Sequence, residues 1–178
     1  MIESILRFLS KRISEDYRAF LSMGESAWGA IRNGNSVLAE TAANEWIAMS
    51  KRFTKSWYFP IAIHEAHQII GLVRLQEGDV IAACGQLELS ISAPGVLPIE
   101  RPLISFELAR ELVLQGNIEQ VLTYLQLMRD NKSKEWQFLS RFQPGKYLWN
   151  WRESLINSWM SSIKNSEIPN HSQWIRTK

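Results

Sequence analysis

The chain has little of what disulfide-bonded and membrane-spanning proteins depend on. Its 178 residues include a single cysteine, Cys84, which excludes an internal disulfide and is typical of a reducing compartment. No run of about 18 uncharged apolar residues is present, so no transmembrane helix is predicted. Glu3 precedes any apolar run and no small-residue cleavage site follows, unlike a secretory signal. We therefore expect a cytoplasmic protein.

An excess of charge of one sign is also lacking. The 20 basic and 18 acidic residues give a net charge of +2, so no overall field favours nucleic acid or an acidic substrate. Hydrophobic content of 46% and charged content of 21% are globular values. A chain of this length is expected to form a single domain, 1–178, that buries roughly two-thirds of its unfolded surface.

Motifs that carry chemistry are scarce. The chain has no Gly-x-Ser-x-Gly elbow and no glycine-rich phosphate loop. Glu107 and Glu111 stand four apart on a predicted helix, a spacing more typical of a solvated face than of an acid/base pair. Cys84 lies on an apolar helical stripe with no basic neighbour, as a small core residue does. We predict a non-enzymatic protein without a cofactor.

One cluster resembles a metal site. His64 and His67 stand three residues apart with Glu65 between them, whereas the zinc-protease motif places its histidines four apart. A third ligand would have to come from Glu88 or Cys84. A metal-dependent hydrolase using His64 and His67 is therefore one alternative, and packed helix residues are the other interpretation.

What the chain does have is an internal repeat between residues 61 and 129. The segment 70–87 matches the segment 108–125, 38 positions later. Each copy is predicted to contain two helices joined at Gly78 or Gly116, where glycine ends the first helix in the left-handed conformation. Asp79 or Asn117 follows and can cap the next helix. A short hinge of this kind folds two helices back antiparallel.

These residues resemble the tetratricopeptide repeat, a helix-pair family of binding scaffolds. The matching residues are Gly71, Gly78, Ala83 and Leu87 in the first copy and Ala109, Gly116, Val121 and Leu125 in the second. The departures are His67 and Ser105 in place of an aromatic residue, Arg74 and Leu112 in place of tyrosine, and a period longer than the usual 34 residues. The resemblance implies stacked helix hairpins and a bound macromolecule, but no chemistry.

The flanking segments also have helical periodicity and no convincing strand alternation. The predicted fold is all-α, with antiparallel helix hairpins stacked as a short TPR-like α-solenoid. Helices are expected over about 2–21, 27–31 and 36–53, with a break at Met23–Glu25, and Pro60 and Pro102 each open a repeat copy. The predicted parts are N-terminal helices in 1–59, the two helix pairs in 60–130, Trp-rich C-terminal capping helices in 134–164 and a tail in 165–178.

The resemblance implies a partner groove lined by the first helix of each pair. Glu65, Gln68 and Arg110 would orient a protein partner, while Leu72 and Phe106 would anchor it. Trp149 lies off the apolar stripe of the last helix and is a further candidate contact. The alternative for this face is that the N-terminal helices cover it as core. Our main hypothesis is a protein-binding module, either an adaptor or a bacterial immunity protein that inhibits a cognate toxin.

A second hypothesis concerns the C-terminal segment. Five of the eight tryptophans fall within the last 43 residues, near several basic residues. Aromatic stacking combined with positive charge is typical of single-stranded nucleic-acid binding. Glu135, Glu153 and Glu167 dilute that charge, and Trp151 and Trp159 lie on the apolar stripe, which favours a capping helix pair.

Overall fold

The structure is a computed structural model and describes residues 2–56, 58–92, 105–130 and 143–168, with side chains outside the description for 2–14 and 143–152. All regular structure within these residues is helical, which confirms the all-α prediction. The seven helices are α1 (Ile2–Arg32), α2 (Ser36–Ser50), α3 (Phe59–Gln76), α4 (Val80–Leu89), α5 (Glu107–Leu114), α6 (Ile118–Asp130) and α7 (Gln143–Lys164).

Three hairpins have the same turn. At Gly78 the backbone is left-handed (φ 81°), its N–H donates to the Leu75 carbonyl and the Asp79 N–H donates to the Arg74 carbonyl. The Asp79 carboxylate then accepts from the Ala82 N–H at 2.9 Å and caps α4. This double hydrogen bond is a Schellman motif. The predicted hinge at Gly78 is confirmed.

The same pair of hydrogen bonds closes the other two hairpins. At the end of α5, Gly116 (φ 84°) and Asn117 donate in the corresponding way. At the end of α1, Gly34 (φ 70°) and Asn35 do so too, and the Asn35 side chain accepts from the Leu38 N–H at 3.0 Å. The structure therefore contains one more hairpin of this kind than the two copies that the sequence repeat identifies.

Two predicted boundaries are wrong. α1 runs unbroken through Gly24, because that glycine packs directly beneath Trp46 and an added Cβ would lie 2.3 Å from the indole ring. Burial of Trp46 outweighs the ~1 kcal/mol that glycine costs inside a helix. α5 begins only at Glu107, after a non-helical Phe106. Pro102 lies outside the described residues, while Pro60 stands in the first turn of α3 as predicted.

Consecutive helices pack against each other, and two apolar clusters result. α1, α2 and α3 surround the first cluster, with Phe20 and Trp46 fully buried in it. α4 to α7 surround the second cluster, which contains Leu108 and Trp159. Leu72 on α3 packs against both clusters. Among the described helices, none is long and apolar enough to cross a membrane.

Candidate functional site

Three of the residues that the sequence places in a partner groove lie instead in the interior. Glu65 and Gln68 are fully buried, and Phe106 is 3% exposed. In this conformation a partner could not touch any of the three. These three residues therefore belong to the buried core, as the alternative interpretation of this face expected. The hydrogen bonds that Glu65 and Gln68 make there explain why the inward face of α3 carries polar groups.

Hydrogen bonds to Glu65 connect α3 to α1 and to the segment just ahead of α5. Its Oε2 accepts from the Trp28 indole N–H on α1 at 2.7 Å, and its Oε1 accepts from the Ser105 backbone N–H ahead of α5 at 2.5 Å. A buried carboxylate is tolerated only when such donors replace water. Glu65 thus fixes α1 and the start of α5 to α3.

His64 binds the backbone carbonyl of the same residue, Ser105. Its Nε2 lies 2.9 Å from the Ser105 carbonyl, which can only accept, so Nε2 carries the proton and donates. Nδ1 is then a bare acceptor, and it is buried with no hydrogen-bond partner. Burial lowers the pKa of His64 to about 4, and the backbone groups of Ser105 and Ser90 offset only part of that effect. The ring is therefore neutral at physiological pH.

Gln68 completes the clamp on α5. Its Oε1 accepts from the Leu108 N–H at 3.2 Å, and its Nε2 faces the Ser90 hydroxyl at 3.5 Å. Leu108 belongs to the first turn of α5, whose N–H groups have no partner within their own helix. His64 and Glu65 thus bind the Ser105 backbone, and Gln68 binds the Leu108 N–H. The Ser105 hydroxyl accepts from the first N–H of α5, that of Glu107, at 3.2 Å. This cluster, which we call the α3 clamp, is structural.

The arrangement does not bring the two histidines together as ligands. His67 Nδ1 pairs with Gln86 Oε1 at 2.7 Å, while His64 faces Ser105. Among the described residues no three His, Cys, Asp or Glu side chains converge on a metal position. Burial raises the pKa of the Cys84 thiol, with the nearby Glu88 adding to the effect, so Cys84 is a poor nucleophile at neutral pH.

Other predicted groove residues remain accessible. Arg110 keeps a quarter of its side chain exposed and forms an ion pair with Glu111. Burial raises the pKa of the Glu107 carboxyl, although the nearby Arg32 of α1 opposes that shift. The electrostatic effect of Arg32 on Glu107 indicates that the end of α1 lies near the start of α5.

We define the A-face patch as five incompletely buried residues of α1, α3 and α5, which are Arg32, Leu72, Glu107, Arg110 and Glu111. Leu72, on α3, is partly exposed and lies between the apolar clusters of α1 and α5. Sequence reasoning identified Leu72 and Arg110 but missed Arg32, and it treated the two glutamates only as a solvated pair. Arg32 could have been found by extending the helix-pair pattern back to the turn at Gly34.

The tryptophans of the C-terminal segment are described for one side chain only. Trp159 is 1% exposed, and its ring stacks edge-on against Phe106 with the centroids 4.8 Å apart. It is therefore not available to stack on a base. The side chains of Trp136, Trp149, Trp151 and Trp174 lie outside the described residues, and so does the predicted contact of Trp149. No family model, curated protein or solved structure matches the chain.

Proposed function

We propose that this chain is a non-catalytic, tetratricopeptide-like helical-repeat protein that binds another protein. The observation that carries the proposal is the threefold use of one hairpin, closed by the same turn after α1, α3 and α5. A unit that recurs in this way buries its apolar face only against the next unit. The product of such stacking is an extended surface.

The packing of alternate helices supports the stacking. α1 contacts α3, α3 contacts α5, and α4 contacts α6, as expected where hairpins lie side by side. Glu65 pairs with Trp28 on one side and Ser105 on the other, offsets of 37 and 40 residues. Gly71 allows close approach, since an added Cβ would lie 2.2 Å from a Leu108 methyl. α1, α3 and α5 therefore run in parallel in nearly one register.

The A-face patch is the proposed partner surface. It combines a partly exposed leucine with charges of both signs, which is the composition of a small interface with an apolar centre and a polar rim. Arg110 is the expected anchor because guanidinium groups form directional pairs with carboxylates and are frequent among residues that dominate binding energy. Trp149 remains a predicted additional contact.

The biological role that we propose is inhibition of a cognate bacterial toxin, as an immunity protein, with adaptor function as the alternative. Both roles need a binding surface and no reaction centre, and both suit a small single-domain chain. The product of the neighbouring gene is the first partner to test. Protection of cells from that product would support inhibition, whereas assembly of a larger complex would support the adaptor role.

The test uses purified full-length protein and the candidate partner in a titration calorimetry experiment. Arg110→Ala should weaken binding about tenfold or more if Arg110 anchors the partner. Arg52→Ala is the matched control, since Arg52 is an exposed arginine paired with Asp16 at the far end of the hairpin. Equal loss in both variants, or unchanged affinity with Arg110→Ala, would contradict the assignment of the A-face patch.

A further inference from the structure

The outer face of α4 has an exposed apolar row that nothing in the described chain covers. Ile81 is 87% exposed and Leu89 is 45% exposed, and Gly85 lies midway between them. Residues four apart lie on one face of a helix, so these three form a continuous stripe. We call it the α4 stripe.

No contact within the described chain explains why residue 85 is a glycine. A glycine inside a helix costs about 1 kcal/mol relative to alanine. At Gly24 and Gly71 that cost has a reason, because Trp46 and Leu108 occupy the space where a Cβ would be. A Cβ at Gly85 would meet nothing within 4 Å, and the residue is exposed.

A glycine between two exposed apolar side chains forms a shallow notch in which the backbone of another helix can approach closely. Gly29 is equally open, yet the residues four before and four after it are Glu25 and Asn33. Of the four helical glycines whose surroundings the structure describes, Gly24, Gly29, Gly71 and Gly85, only Gly85 combines open space with large exposed apolar neighbours. The combination points to a helix packed across α4.

The charged side chains around the α4 stripe are mainly acidic. α4 itself contains Glu88 and no lysine or arginine, and the exposed Asp79 caps its first turn. Near that end the guanidinium of Arg74 interacts with the carboxylates of Glu40, Glu77 and Asp79. Three carboxylates against one guanidinium leave two negative charges. A second copy docking its own α4 antiparallel would bring Glu88 toward the acidic amino end of the other, which like charges disfavour.

We propose that the α4 stripe docks a basic amphipathic helix of a partner protein, with small or apolar side chains against Gly85 and lysine or arginine beside Asp79 and Glu88. Helix-in-groove recognition uses apolar anchors at this spacing, and opposite charges at the rim set orientation and partner choice. The inference goes beyond the proposed function because it uses α4, which contributes no residue to the A-face patch.

The probe is a pair of synthetic helical peptides of about 18 residues with a leucine and alanine face. One carries lysine at the flanking positions and the other carries glutamate there. Anisotropy titrations with the full chain should show saturable binding of the lysine peptide, at least about tenfold tighter than the glutamate peptide at low salt. The difference should shrink as salt screens the rim charges.

Variants locate the site. Ile81→Ser and Gly85→Leu should each weaken lysine-peptide binding about tenfold, since the first removes an anchor and the second fills the notch. Both positions are exposed, so thermal unfolding should remain cooperative. Val37→Ser on α2 is the matched control, because Val37 is 80% exposed and lies outside the stripe. Glu88→Lys should lower the preference for the lysine peptide.

Three outcomes would overturn the proposal. They are no saturable binding of the lysine peptide, equal binding of both peptides, and binding that Ile81→Ser leaves unchanged. Light scattering adds one more test, because self-association that Ile81→Ser abolishes would assign the stripe to a second copy of the chain. The two proposals can fail independently. Arg110→Ala can weaken binding of the candidate partner while lysine-peptide binding stays intact, and Ile81→Ser can weaken lysine-peptide binding while partner binding stays intact.

Discussion

Acid should destabilise this protein through His64, and the size of the effect follows from the α3 clamp. In the folded chain the His64 pKa is lowered from 6.5 to about 4, because the ring is fully buried and the backbone groups of Ser105 and Ser90 offset only part of that effect. The unfolded chain therefore binds more protons than the folded chain between these two values. Stability is fully present above pH 6.5 and is lost as pH falls toward 4.

The magnitude comes from the difference between the two pKa values. Each pKa unit corresponds to about 1.4 kcal/mol, so His64 should cost the folded state about 2 kcal/mol by pH 5 and about 3 kcal/mol below pH 4. His67 acts in the same direction, since burial lowers its pKa as well. The carboxyl of the partly buried Glu107 acts in the opposite direction, since burial raises its pKa, and a control must separate these contributions.

The assay is urea denaturation of the wild type and His64→Gln at several pH values between about 4 and 7.5. Glutamine can still donate to the Ser105 carbonyl but does not titrate, so the variant should lose about 3 kcal/mol less than the wild type over this range. His67→Gln serves as the matched control and should change the slope less, because His67 is only partly buried. Parallel curves for wild type and His64→Gln, or an NMR titration of His64 near 6.5, would refute the reasoning.

Three further substitutions test the packing by chemical denaturation. Gly71→Ala should destabilise by about 1–3 kcal/mol, since the new Cβ would lie 2.2 Å from a methyl of the fully buried Leu108; no loss would mean that α3 and α5 can separate freely. Gly78→Ala should cost about 1–2 kcal/mol through backbone strain alone, because its φ is 81° and the space around it is open. Trp28→Phe should cost about 1–3 kcal/mol by removing one N–H donor to Glu65. A neutral result would show that water replaces the indole there.

The turns could be read from the sequence because their signals are local. A glycine followed by Asp79 or Asn117 at the end of an apolar helix specifies a left-handed cap within a few residues. Another local signal, the preference of proline for the first turn of a helix, places Pro60 at the start of α3. Local reasoning failed at Gly24, where the local preference of glycine to break a helix competes with burial of Trp46 from another helix. The tertiary contact is the larger of the two effects.

The site was less accessible to sequence reasoning. Glu65 and Gln68 have the spacing of groove residues, and a polar residue on a helix looks the same whether it faces water or a backbone amide. Their partners, Ser105 and Leu108, lie 40 residues along the chain. Leu72 and Arg110 were found because they are the exposed part of the same helical pattern, and whether they contact a partner remains a prediction.

By itself the sequence determined that the described chain is helical and that hairpins turn at Gly78 and Gly116 with the same kind of cap, because these properties depend on a few neighbouring residues. The tertiary structure decided which polar side chains of α3 turn inward. It did so because the start of α5 returns to the core with unpaired N–H and C=O groups, and burying them without hydrogen bonds would cost more than burying His64, Glu65 and Gln68 against them.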